Sequence, residues 1–135
     1  MASVDNNGLV FQPYWKLAVG LLAIVIIYLS WAPLNSDTML TFNDKLLHFL
    51  AYFVFTFLFI EVVHYDRLIM VFYGVGLFSF CIEYGQSFIP YRSFEVFDLL
   101  ANIIGITVAI FISNIFAKGW LVLIEKMLIQ IFRHD

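Results

Sequence analysis

Charge is what this sequence has least of. Of its 135 residues, 13% are Asp, Glu, Lys or Arg and 63% are hydrophobic, with a mean hydropathy of +0.94. Soluble domains carry about 25% charged residues. A soluble fold of this length could not hide so much apolar side chain, because much of any small protein faces its solvent. The composition therefore demands lipid as solvent. Seven Lys and Arg against ten Asp and Glu leave a net charge of −3 without a basic patch, so nucleic acid is not an expected partner. The lone cysteine, Cys81, precludes an intramolecular disulfide, and its apolar neighbourhood reads as that of a small buried side chain. The chain lacks internal repeats, a Ser or Cys nucleophile elbow, an HExxH motif and a phosphate-binding loop, which argues against common hydrolase and ATPase chemistries.

What is present is a succession of apolar runs. Residues 1–13 read as a short polar cytoplasmic tail. From Tyr14 to Pro33 runs YWKLAVGLLAIVIIYLSWAP, bracketed by Trp15 and Trp31 about 24 Å apart along a helix, as interfacial aromatics would be. Its single Lys16 and the lack of a small-x-small cleavage site favour a retained span over a signal peptide. Residues 34–43 read as a loop, with Asn43 placed to cap a helix opening at Asp44. Further spans are expected over residues 45–63, 68–89 (closed by Pro90) and 97–117, each of a length that crosses a hydrocarbon core as a helix. The expected fold is all-α: a polytopic membrane protein with four transmembrane helices over 14–117. An amphipathic segment, 118–135, follows as an interfacial helix with Trp120 at the membrane surface and Lys118, Glu125, Lys126, Gln130 and Arg133 on its polar arc. Continuation of the fourth helix beyond the membrane is the plainer alternative for this segment.

Lys16, Arg67, Lys118, Lys126 and Arg133 fall on the side of the N-terminus, whereas only Lys45 and Arg92 fall on the other. The positive-inside rule then places both termini in the cytoplasm. In this threading the polar residues of three spans converge on the outer third of the bundle. Asp44, Lys45, His48 and Tyr52 begin the second helix, Glu83, Gln86 and Ser87 end the third, and Asp98 and Asn102 begin the fourth. Spacings of three and four residues put the members of each set on one face. Buried ionisable groups in a membrane are costly and usually face a partner or a watery cavity. Arg92, in the third loop, is the expected partner of Glu83 or Asp98. Plainer roles compete: Asp44 and Asp98 as helix caps, His48 as a packed residue, Glu83 with Arg92 as a structural ion pair, and Glu95 as a solvated loop charge. Glu61, His64 and Asp66 read as interface residues at the opposite end. The abundant Phe reads as packing and lipid-facing bulk. Below the polar set, Ala101, Gly105 and Ala109 form a small-xxx-small ladder that suits close helix approach.

The ordered set Asp44-Lys45-x-x-His48, Glu83-x-x-Gln86, Pro90-x-Arg92 and Asp98-x-x-x-Asn102-x-x-Gly105 resembles the VanZ-like family of membrane proteins over about residues 40–117. The resemblance implies a multi-span protein of the bacterial inner membrane. It also implies a motif of Asp44, Lys45, His48, Glu83, Gln86, Arg92, Asp98 and Asn102. The family takes its name from a protein linked to teicoplanin resistance, an effect on glycopeptide sensitivity without an assigned reaction. Three functions remain open. One is a cell-envelope protein whose outer pocket binds membrane lipid or a lipid-linked envelope precursor. Another is an intramembrane enzyme using His48 as acid or base, a carboxylate from Glu83 or Asp98, and Arg92 on a phosphate. The third is a small transporter acting as an oligomer. No cofactor is expected, and one His at this level argues against a zinc centre.

Overall fold

A computed structural model describes residues 8–33, 41–63, 67–116 and 118–133, with the backbone alone for 41–43 and 132–133. The described chain is helical: α1 Gln12–Trp31, α2 Thr41–Val62, α3 Leu68–Gln86, α4 Val96–Phe116 and α5 Trp120–Arg133. The first four are long and apolar enough to cross a membrane. Helices satisfy their backbone groups internally, which a hydrocarbon solvent requires.

Local chemistry explains the helix ends. Pro13 stands in the first turn of α1, where a missing N–H breaks no helical bond. The helix stops two residues before Pro33. Helix α2 opens at Thr41, so Asn43 lies inside its first turn rather than capping it. Helix α3 ends at Gln86, three residues short of the expected limit. There the chain tightens into successive turn bonds from Ser87 N to Tyr84 O, Phe88 N to Gly85 O and Ile89 N to Gln86 O. Pro90 lacks an N–H and could not have prolonged the helix.

The bundle is built around α2 and α4, which share the most extensive contact. Gly105 explains their closeness. A Cβ there would press into the Phe49 carbonyl oxygen and lie 3.1 Å from the Phe53 nitrogen. The Ala101–Gly105–Ala109 ladder thus faces α2, with Gly105 and Ala109 buried. Helix α3 packs on α4, and α1 packs on α2 and α3. Buried Thr56, Ser79, Glu83, Asn102 and Ser113 face inward, while Leu21, Ile69, Leu77, Ile104 and Phe111 are exposed. Polar groups inside and apolar ones outside is the arrangement that lipid favours. Cys81 lies on the exposed surface and not in the core, since the inward positions of its helix are held by Ser79, Ile82 and Glu83.

At the end where α1 and α3 begin and α4 finishes (the terminal end), Gly119 adopts φ +72°, the left-handed region, and lets the chain turn into α5. Trp120 stacks on Phe57 at 5.3 Å, and Leu121 is fully buried. Glu125 does not join the polar arc of α5. It is buried and accepts hydrogen bonds from Val10 N (2.7 Å), Phe11 N (3.0 Å) and the Trp15 indole (2.7 Å). The carboxylate thereby clamps the segment before α1, with Leu9 buried beneath. Glu61 is buried too and accepts from Leu121 N at 3.4 Å, so it is no surface residue. His64 and Asp66 lie outside the described residues.

Candidate functional site

The opposite end of the bundle, where α1 and α3 finish and α2 and α4 begin, gathers the ionisable groups. Lys45, in the first turns of α2, reaches across to α4. Its ammonium closes against Asp98 Oδ1, lies 2.6 Å from Glu95 Oε2 and is 3.6 Å from Asp44 Oδ2. Asp98 sits in the first turn of α4, where a carboxylate also offsets the helix dipole, and its side chain is 6% exposed. Glu95 keeps the exposure expected of a loop charge and also accepts a hydrogen bond from Lys45.

One turn further along α2, His48 stands between two sets of acceptors. Its Nε2 is 3.7 Å from Asp98 Oδ2, and its Nδ1 is 3.1 Å from Asn102 Oδ1 and 3.4 Å from Glu83 Oε1. Asn102 in turn donates through Nδ2 to Ser79 Oγ at 2.9 Å and to Glu83 Oε1 at 3.4 Å. With the amide nitrogen so engaged, Asn102 Oδ1 is the acceptor, which assigns the His48 proton to Nδ1. In a neutral ring, Nε2 is then the lone-pair nitrogen. Glu83 and Asn102 are fully buried, and Glu83 Oε2 makes no hydrogen bond.

Arg92 does not meet Glu83 or Asp98. Its Nη2 donates to the carbonyl oxygens of Ala32 at 2.9 Å and Leu29 at 3.5 Å. Gln86 donates to Ser30 O at 2.8 Å, Tyr91 to Trp31 O at 3.1 Å, and the Trp31 indole to Ile82 O at 3.4 Å. The reason is the C-terminus of α1. The last carbonyls of a helix lack internal partners, and Gln86, Tyr91 and Arg92 supply donors to this end of α1, whereas the Trp31 indole donates the other way, to an α3 carbonyl. Close contact assists: a Cβ on Gly85 would lie 2.9 Å from the Trp31 ring.

Between α1, α2 and α3 lies a cavity of about 230 Å³. Asp44, His48, Tyr52, Gln86 and Arg92 form its polar lining, and Ile26, Leu29, Leu47 and Ala51 its apolar one. Arg92 thus borders the same space as His48 although it pairs with neither acid. Asp44, His48 and Asp98 each offer one ligand atom, all within 4.8 Å of one another. Such a nitrogen-and-oxygen set suits a divalent cation. The Lys45 ammonium already lies against both carboxylates, however, and any ion would have to share or displace it.

The structure therefore brings Asp44, Lys45, His48, Glu83, Asp98 and Asn102 into one network, and places Tyr52, Gln86 and Arg92 around the adjoining cavity. Ser79 escaped the sequence reading, and Glu95 entered it only as a loop charge. Ser79 was signalled by its place four residues before Glu83 on the inward face of α3. Glu95 was signalled by its place three residues before Asp98.

This is a multi-pass membrane protein of four spans with an ionisable network at one end of the bundle. A sequence model of the VanZ/LLP1 family matches residues 7–117, and the chain belongs to that family. It is also 34% identical over 120 residues to an uncharacterized protein of the fission yeast Schizosaccharomyces pombe, covering 84% of this chain and 68% of that one. No solved structure matches the chain.

Proposed function

We propose that the polar end of the bundle is a headgroup-binding site for a membrane lipid or a lipid-linked envelope ligand. The observation that carries this reading is the cavity's divided lining, with ionisable and amide groups on one part and aliphatic side chains on the other. A ligand with a polar head and an apolar stem satisfies both parts. The Lys and Arg distribution supports an orientation with both termini cytoplasmic and this end on the outer face. The four spans form the working unit, and α5 lies along the interface with exposed Met127, Leu128 and Ile131 toward lipid. The fission yeast relative means that family membership alone does not restrict the chain to a bacterium. In a bacterial inner membrane the ligand class would be a phospholipid or a polyprenyl-linked precursor, and an effect on glycopeptide sensitivity would follow from its capture.

The second reading is catalysis on the same ligand class. It is favoured by the fixed His48 ring at the cavity wall, whose Nδ1 is held by Asn102 and whose Nε2 lies 3.7 Å from the Asp98 carboxylate, a pairing of acid and base.

Binding is tested with the full-length protein in nanodiscs, titrated with phosphatidylethanolamine, phosphatidylglycerol or a polyprenyl phosphate. His48→Gln, which removes the imidazole, should weaken binding of the preferred lipid about tenfold, and Ala51→Phe, which fills the cavity, should abolish it. Equal binding by wild type and both variants across all three lipids would refute the headgroup site. Turnover of the bound lipid that is lost in His48→Gln would establish the catalytic reading.

A further inference from the structure

A second, larger cavity of about 430 Å³ lies toward the terminal end of the bundle, away from the polar network. It runs between α1, α2 and α3 and is lined by Ala23, Phe55, Phe59, Met70, Gly74 and Phe78, with Arg67 at its mouth. We infer that this groove seats one acyl chain of an anionic phospholipid whose phosphate is held by Arg67.

Three observations carry the inference. The first is shape. At the polar end α1 is tied to α3 and its loop by Gln86, Tyr91, Arg92 and Trp31. Toward the terminal end the walls carry small residues, Ala23 on α1 and Gly74 on α3, and a Cβ added at Gly74 would meet nothing within 4 Å. The space is therefore a real opening and not a packed seam. The second is depth. From Arg67 to Phe78 the groove follows α3 for about 16 Å at the helical rise per residue. That is close to half of a hydrocarbon core of about 30 Å, the span of one leaflet's acyl chains. The third is charge. Below its mouth the groove is apolar, and the cation stands at its membrane-surface end, just ahead of α3, whose first turn holds no acidic residue. An acyl tail with a negative head matches that order of chemistry, whereas a free anion leaves the apolar length unused. Under the orientation proposed above this is the cytoplasmic leaflet, where anionic lipids attract Lys and Arg.

The test uses the full-length protein in nanodiscs of equimolar phosphatidylglycerol and phosphatidylcholine, released for native mass spectrometry. Wild type should retain one phosphatidylglycerol, favoured about fivefold over phosphatidylcholine, the advantage of one surface arginine. Arg67→Gln should bring that ratio near one. Gly74→Phe should fill the groove, cut total retention at least about fivefold and leave the melting temperature close to wild type; should it fail to fold, the Arg67→Gln ratio decides. Gly20→Ala, on α1 outside both cavities, should leave the retained lipid unchanged. Equal retention of the two lipids by wild type, or unaltered retention in both groove variants, would overturn the inference. Loss of the lipid in His48→Gln alone would assign it to the other cavity and overturn it equally.

Discussion

Adding a single methyl group at Gly105 should loosen the whole polar end of the protein. A Cβ at this position would lie 3.1 Å from the Phe53 nitrogen and 3.3 Å from the Phe49 carbonyl carbon, and closer still to the Phe49 oxygen. All three are backbone atoms of a continuous helix, so no side chain can swing aside. Helices α2 and α4 must separate by an appreciable fraction of an ångström, or by about one. Overpacking of this kind costs about 1–3 kcal/mol. The displacement would not remain local. Asn102 lies one turn before Gly105 on α4, and His48 adjoins Phe49 on α2. Their 3.1 Å hydrogen bond spans the same interface, and an added ångström would carry it beyond bonding distance. Gly105→Ala should therefore lower stability in detergent by about 1–3 kcal/mol, read by denaturant or thermal unfolding, and Gly105→Leu by more. Gly20→Ala is the internal control. Its Cβ would meet nothing within 4 Å, so relief of glycine's backbone entropy should stabilise α1 by about 0.5–1 kcal/mol. Opposite signs for the same chemical change are the expected result. Should Gly105→Ala match wild type, α2 and α4 are not in the close contact described, and the geometry of the His48 network fails with it.

Other perturbations separate the two ends. Glu125→Ala should destabilise the protein by at least about 3 kcal/mol, since it strands the donors of Val10, Phe11 and Trp15, while Glu125→Gln should lose less; equal losses would mean that the clamp is not a hydrogen-bonding device. Lys45→Met should cost about 3 kcal/mol by leaving Asp98 buried without its cation, and a second change, Asp98→Asn, should restore most of it; additive losses in a double-mutant cycle would refute the pairing. Arg92→Lys should retain the fold and part of the cap on α1, losing about 1 kcal/mol, because an ammonium can still reach one of the two carbonyls; wild-type stability in Arg92→Ala would show that the cap carries nothing. In a Cys81→Ser background, cysteine at Ser93 should react with a membrane-impermeant reagent from outside and cysteine at Ser3 should not; the reverse pattern would put the polar end in the cytoplasm.

The spans were legible because a membrane helix is specified by length and hydropathy, quantities a single sequence displays. The convergence of Asp44, His48, Glu83, Asp98 and Asn102 was legible for a related reason: alternating spans fix depth, and spacings of three and four fix a face. Partner choice was not legible. The sequence suggested Arg92 for Glu83 or Asp98 because it is the one cation of the third loop. Yet the carbonyls at the end of α1 compete for the same donors, and nothing in the sequence reveals which lies nearer. Lys45 took the acid-pairing role expected for Arg92 because its stem spans from α2 to α4, which the Gly105 contact brings close together. Glu125 misled for a similar reason. On a helical wheel it sits among Lys126 and Gln130, but its partners Val10, Phe11 and Trp15 lie more than a hundred residues earlier in the chain.

The two ends are held by different means, and the difference bears on function. At the terminal end one carboxylate receives three donors, an arrangement that fixes α5 against the start of α1. At the polar end the groups bind one another in series, from Lys45 to Asp98, across to His48, and on to Asn102, Glu83 and Ser79. A structural pin would need fewer members: Gly105 already brings α2 and α4 together, and α1 is capped by Gln86, Tyr91 and Arg92 without the network's help. What the series adds is orientation. It holds the His48 ring through Nδ1 and sets Nε2 3.7 Å from Asp98 Oδ2, with the ring at the cavity wall. It also keeps the Glu83 carboxylate buried in reach of that ring. A side chain locked by its neighbours loses little entropy on meeting a ligand, which is the condition under which few contacts suffice for binding. On that ground we propose that the network supports a site and does not merely brace the bundle. Asn102→Asp is the discriminating change, since it keeps the shape but replaces the Nδ2 donor with an acceptor facing Ser79 and Glu83. Ligand affinity should fall further than stability does, and the opposite order would return the network to a purely structural role.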